Sequence, residues 1–163
     1  MNICLKTMTK ELCRKFRQEL EQDPMLFMDM SKFQPFVYNE AESDAYFERY
    51  AKLGRTHMAI MMDEEPIGEL VLKNFDDAMK SCELGICMKN DTFKNKGYGT
   101  CAEILALEYA FYTLGMETVY ADSILKNKRS QHVLQKVGFV QTHCDDTFIY
   151  YRADKRIWQR PDL

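Results

Sequence analysis

The sequence predicts a mixed α/β fold, and three observations carry that reading. Short β-rich runs alternate with segments of helical apolar spacing, in the order β-α-α-β-β-β-α-β-α-β-β. Two successive runs, His57 to Met62 and Ile67 to Lys73, flank the turn Asp63-Glu64-Glu65-Pro66 and read as a hairpin. A glycine-bearing turn, Lys94-Asn95-Lys96-Gly97-Tyr98-Gly99-Thr100, stands between the apolar run Leu84 to Met88 and a long helical run. The 163 residues, 46% apolar and 29% charged, are expected to form one domain over positions 1–163 with a buried core.

In chain order, Ile3 and Leu5 mark a first strand. Thr9 can cap a helix running to about Leu20, with Leu12, Phe16 and Leu20 on one face. Met25 to Tyr38 is irregular and rich in aromatics. Asn39 and Glu42 resemble a capping box for a second helix, whose stripe Tyr46, Phe47, Tyr50 and Leu53 reads as core packing and which Gly54 ends. After the hairpin, Asn74 to Ser81 is polar and reads as a connection, and Glu83 to Lys89 as a strand. A helix over Cys101 to Leu114 carries Ile104, Leu107, Phe111 and Leu114, with Gly115 as its stop. Thr118 to Leu125 is β-rich. Asn127 can cap a short helix with Val133, Leu134 and Val137, ended by Gly138. Phe139 to Thr142 and Phe148 to Arg152 are the last strands.

A net charge of −3 lacks the basic excess of a nucleic-acid binder. The first residues lack the apolar run of a signal peptide, and no stretch approaches about 20 apolar residues. No membrane partner is expected, and the expected location is cytoplasmic. Cys4, Cys13, Cys82, Cys87, Cys101 and Cys144 form no C-x-x-C pair and no zinc spacing, so free thiols and no metal are expected.

Two glycines one residue apart, opening a helix, make an anion cradle from backbone N–H groups and the helix dipole. Gly97 to Ala102 also matches the dinucleotide fingerprint G-x-G-x-x-G/A, with Glu117 about twenty residues on. That reading fails on context. The polar connection Lys89 to Lys96 separates strand from glycine, and Glu117 precedes its strand instead of ending it. No P-loop pattern is present.

The second half, roughly residues 57–153, resembles the GNAT superfamily of acetyl-CoA-dependent acyltransferases. Lys94-Asn95-Lys96-Gly97-Tyr98-Gly99 fills that family's motif Gln/Arg-x-x-Gly-x-Gly/Ala, with Lys in the first place. About thirty residues on come Asn127, Ser130 and Lys136-Val137-Gly138-Phe139, as in the family. Pro66-Ile67-Gly68 and Glu83-Leu84-Gly85-Ile86 also fit. The pattern looks most like the branch that includes ribosomal-protein N-terminal acetyltransferases.

The resemblance implies a mostly antiparallel sheet of six to seven strands, splayed between the fourth and fifth and flanked by about four helices. It implies acetyl-CoA as cofactor, bound by the backbone of Ile86, Cys87 and Met88, by the turn Lys94, Asn95, Lys96, Gly97, Tyr98, Gly99 and Thr100, and by Asn127 and Ser130. An N–H near Cys87 or Met88 would serve as oxyanion donor. Lys126, Lys128 and Arg129 are candidates for the nucleotide phosphates. Many members place a thiolate-protonating Tyr where this chain has Leu134, which leaves Ser130 or a water for that task. Glu83, Glu69 and Asp122 are candidate bases, with Glu83 first because it enters the strand expected to line the thioester. The implied activity is direct transfer of acetyl to a primary amine, a small molecule or a peptide N-terminus, by a monomer or homodimer. The alternative is a non-catalytic acyl-CoA-binding module of the same fold. Met25 to Tyr38 and His143 to Thr147 are the segments expected to meet the acceptor.

Overall fold

The computed structural model describes residues 2–162. Seven strands form the sheet: β1 (Ile3–Thr7), β2 (Thr56–Met62), β3 (Glu65–Asp76), β4 (Ser81–Met88), β5 (Thr118–Ile124), β6 (Val140–Cys144) and β7 (Phe148–Asp154). Four α-helices accompany them: α1 (Lys10–Gln18), α2 (Glu40–Lys52), α3 (Tyr98–Glu108) and α4 (Lys128–Lys136). The strand order is β1-β2-β3-β4-β5-β7-β6. Every neighbouring pair is antiparallel except β4 and β5.

That one parallel pair opens the sheet. The ladder joins Ser81, Cys82 and Glu83 to Thr118, Val119 and Tyr120, and then stops. Residues 84–88 of β4 keep their partners on β3, Gly68 opposite Met88 and Glu69 opposite Cys87, but leave their other edge without a strand. Strand twist drives such divergence once a pair is held at one end only.

The sheet is covered on both faces. Ile60, Leu70, Leu72 and Leu84 meet Ala106, Leu107, Ala110 and Phe111 in the larger core, beneath α3. Met8, Cys13, Ala59 and Met61 pack with Leu12, Tyr46 and Phe47 beneath α1 and α2. Strand alternation therefore sends Leu70 and Leu72 to one face and Glu69 to the other. Arg14 clamps α1 to α2 through two bonds to Asp44, at 2.7 and 2.6 Å. The fully buried Lys89 holds its Nζ 3.0 Å from Glu19 and 3.2 Å from Glu65, and its carbonyl accepts from the Glu21 N–H. The chain after α1 is thereby fastened to the end of β4.

The caps form as the sequence predicts. Thr9, Asn39 and Asn127 side chains accept from the N–H groups of Leu12, Glu42 and Ser130, at 3.0–3.1 Å. Several boundaries shift. Helix α1 ends at Gln18, short of Leu20. Strand β3 continues through Asn74 to Asp76, and β4 begins at Ser81, because the ladder resumes after an irregularity to pair Asp76 with Ser81. Exposed strand residues are free to be polar, which disguised this stretch as a loop. Helix α3 starts at Tyr98, directly after Gly97, and its last turn widens to i→i+5 bonding over Tyr109–Thr113. Leu53 is 58% exposed, so the α2 stripe is not wholly core.

Candidate active site

A cleft of about 660 Å³ runs from the α1–α2 face through the gap in the sheet to α3 and α4. Its cofactor-side wall begins at Gly97, whose φ of +81° is a left-handed conformation that glycine adopts without steric cost. The first intrahelical bond of α3 runs from the Cys101 N–H to the Gly97 carbonyl, at 3.0 Å. The N–H groups of Tyr98, Gly99 and Thr100 thus lack intrahelical acceptors, and the helix dipole adds positive potential there. An ideal Cβ on Gly99 would come 3.9 Å from Ile86 Cδ1 and 4.0 Å from Met88 Sδ, so the turn and β4 stand close together. A phosphate-bearing ligand with an extended, amide-bearing arm fits this pairing of a helix terminus with an unpaired strand edge.

Most of the sequence-predicted site residues converge here. Ile86, Cys87 and Met88 line the cleft, as do Lys94, Asn95, Gly97, Gly99 and Thr100, together with Asn127 and Ser130. Lys96 and Tyr98 are not in the lining; Tyr98 packs against the larger core instead. Lys94 holds Asp91 at 2.6 Å, and this pairing keeps the Asp91 carboxyl below its ordinary range. Of the three basic residues near Asn127, Arg129 reaches the cleft. Lys126 donates to the Phe27 carbonyl and Lys128 to Gln131. Leu134 is core, 2% exposed.

The candidate bases separate clearly. Glu83 sits where β4 and β5 are still paired, outside the cleft lining, and takes a hydrogen bond from Asn74 at 2.8 Å. Asp122 lies on β5 opposite Tyr150, also outside the lining. Glu69 is different. It is 8% exposed, lines the cleft, and stands in register with Cys87 on the unpaired run of β4.

Two residues with no sequence signal of function hold Glu69. Tyr46 donates to Oε1 at 2.7 Å, and His57 Nε2 lies 2.8 Å from Oε2. A carboxylate only accepts, so Nε2 carries the imidazole proton. Tyr50 Oη lies 2.8 Å from Tyr46 Oη, and since the Tyr46 proton goes to Glu69, Tyr50 supplies the proton of that contact. Burial first, then the Glu69 charge, pushes the Tyr46 phenol far above its usual range. Arg17, sandwiched 4.7 Å from the Phe36 ring and 4.3 Å from Tyr46, completes this wall.

A second opening of about 190 Å³ lies on the α2 side, lined by Tyr50, Arg55, Val71, Lys73 and Gly85. Glu69, Ile86 and Cys87 line both spaces. Nothing stands within 4 Å of where a Gly85 side chain would begin, which keeps this approach open. Cys87 is exposed to the cleft, where the narrow surroundings first and the Glu69 charge second raise its thiol above the ordinary range. Of the two segments expected at the acceptor, Met25 to Tyr38 contributes Leu26 and Phe27 to the lining. His143 to Thr147 contributes nothing; Asp145 is engaged in its own turn by Thr147, Phe148 and Tyr150.

The open parallel strand pair facing a glycine-capped helix is the arrangement that the sequence resemblance led us to expect. The family model of the Acetyltransferase (GNAT) domain matches residues 2–140, and the chain belongs to that family. It is 25% identical over 150 residues, covering 80% of each chain, to a Bacillus subtilis (strain 168) protein named "Putative ribosomal N-acetyltransferase YdaF". Among solved structures, apo FdhC, a nucleotide-linked sugar GNAT, superposes with a TM-score of 0.78 at 20% identity, over 94% of this chain and 87% of that one. A spermidine N-acetyltransferase chimera, SpeG from Vibrio cholerae with hSSAT, gives 0.77 at 15% identity, over 96% and 97%. At these identities the structural likenesses speak for the fold alone. Among the described residues, no helix is long and apolar enough to cross a membrane.

Proposed function

We propose that the protein moves the acetyl group of acetyl-CoA to a primary amine by direct transfer in a ternary complex. One observation carries the reading: Glu69, held by Tyr46 and His57, stands opposite Cys87 on the unpaired run of β4 and lines both the cleft and the second opening. Acetyl-CoA, when bound, supplies a thioester whose carbonyl carbon accepts the amine. The N–H groups at the start of α3 hold its pyrophosphate, and the free edge of β4 at Ile86 to Met88 pairs with its arm. A β4 N–H near Cys87 or Met88 meets the charge that grows on the carbonyl oxygen.

The acceptor enters from the α2 side, over Gly85 and Val71. Glu69 takes the proton that an ammonium must lose before its nitrogen can attack. Tyr46 and His57 fix the orientation of that carboxylate. The geometry supports Glu69 over Glu83, since Glu83 lies where the strands are still joined. Among the described residues, Cys87 has only the Met88 carbonyl as a hydrogen-bond partner and the Glu69 charge beside it raises its thiol, which supports direct transfer over an acyl-cysteine route. Ser130 is the hydroxyl on the cofactor side available to the departing sulfur, with Leu134 offering none.

The test is thiol release from acetyl-CoA by the full-length protein across a panel of primary amines, including short peptides. Amine-dependent release supports the enzyme reading. Tight CoA binding with no release on any amine would leave a binding module.

A further inference from the structure

Glu103 is a buried acid on the cleft side of α3. It lies on α3 one turn beyond Thr100, is 2% exposed, and lines the cleft. Its Oε2 is sealed from solvent and, among the described residues, has no hydrogen-bond partner. Its neighbours along the helix, Ala102, Ile104, Ala106 and Leu107, are core residues. A buried carboxyl without a partner costs stability, and a fold gains nothing from it that leucine would not supply better. The carboxyl lines the cleft, and a ligand there is expected to be its partner, reached with a small turn of the side chain.

We propose that Glu103 binds the acyl donor, its carboxyl O–H donating to an amide carbonyl oxygen of the donor's pantetheine arm. This rests on the reading of the cleft as the acetyl-CoA site. Three features point to the arm. Gly99, Thr100 and Glu103 follow one another along the cleft side of α3, from the pyrophosphate turn inward. The arm's backbone-like amides use their other edge on β4. The arm's carbonyls are neutral acceptors, which suit a neutral donor.

Burial pushes the Glu103 carboxyl up to about 8, so at neutral pH it keeps its proton. The other titratable groups lining the cleft are Lys94 of the glycine turn, Arg129, His132 and Lys136 of α4, Cys87 of β4 and Glu69 of β3, with Arg17, Glu21, Asp23 and Tyr46 on the α1–α2 side. Strand β1 brings Lys6, which is exposed, and the wide turn after α3 brings Tyr109. The rise in Glu103 comes from burial alone.

The experiment is calorimetric CoA binding to the full-length protein from pH 7 to 9, with Glu103→Gln and Glu103→Leu beside the wild type. Glutamine keeps an N–H donor and cannot ionise. The wild type should hold its affinity to about pH 8 and then weaken by up to about tenfold per pH unit, beyond any loss in Glu103→Gln. At pH 7 Glu103→Gln should bind within about threefold of wild type, and Glu103→Leu about five- to tenfold more weakly. In protein labelled with 13C at glutamate carboxyls, the Glu103 signal should stay in its protonated position to higher pH once CoA is added. Equal affinity of the Leu variant and wild type, or identical pH profiles for wild type and Glu103→Gln, would overturn the proposal while leaving the cleft a CoA site. If Glu103→Leu does not fold, the glutamine pH profile and the carboxyl signal decide. Failure of the wild type to bind CoA would overturn both readings.

Discussion

Replacing Glu103 by Gln should change how stability depends on pH, and the structure sets the size of the change. The carboxyl is pushed from the ordinary 4.5 to about 8 in the folded chain by burial. The unfolded chain ionises it near 4.5, so between these values the folded state holds one proton that the unfolded state has lost. The sign follows: this group's contribution is fully present below about pH 4.5 and is lost as pH rises towards 8. Each pH unit in that window removes about 1.4 kcal/mol. From pH 5 to pH 8 the wild type should therefore lose about 4 kcal/mol relative to Glu103→Gln, which has no proton to lose. Urea unfolding of both proteins at pH 5, 6, 7 and 8 measures this difference directly. Parallel stability profiles would refute the reasoning, because they would mean that Glu103 titrates alike in both states and is not sealed from water.

Other expectations follow from the site. Glu69→Gln should lower kcat about 100-fold with little change in CoA affinity, whereas Glu83→Gln should leave kcat near wild type; the reverse order would return the base to Glu83. Gly97→Glu should weaken CoA binding by about 100-fold, since it puts a side chain at φ +81° and a carboxylate at the pyrophosphate turn; calorimetry on the folded variant checks it. In Gly68→Ala the new Cβ would fall 2.8 Å from the Cys87 carbonyl oxygen and 3.0 Å from Ile60 Cδ1. Overpacking of this kind costs about 1–3 kcal/mol, so calorimetry should show a Tm lower by about 3–10 °C, and an unchanged Tm would mean β3 and β4 can separate freely.

The parts of the molecule legible in the sequence are those written in local pattern. The hairpin of β2 and β3, the glycine turn and the caps at Thr9, Asn39 and Asn127 all rest on residues a few positions apart. The donor side of the cleft is of this kind, because one turn and one strand build most of it. The Glu69 cluster is not. Tyr46, His57 and Glu69 stand on three different elements, and only the β2–β3 register and the seating of α2 bring them together. Tyr46 and Tyr50 read as core because a stripe of aromatics looks the same whether its hydroxyls are idle or bonded. Glu83 looked favourable because sequence shows where a strand begins and not where its pairing ends. Glu103 has no local signal either, since nothing in the sequence nearby reveals that α3 is buried on almost every side.

In the proposed reaction Glu69 faces the nitrogen of the acceptor across the gap in the sheet. A crystal structure with a bisubstrate analogue, CoA joined through its acetyl group to a primary amine, tests it most directly. The pyrophosphate should lie on the Gly97 turn, the carbonyl oxygen on a β4 N–H near Cys87 or Met88, and the amine nitrogen within hydrogen-bond reach of Glu69. An analogue whose nitrogen lies against Glu83 or Asp122, or whose arm does not follow the free edge of β4, would contradict it.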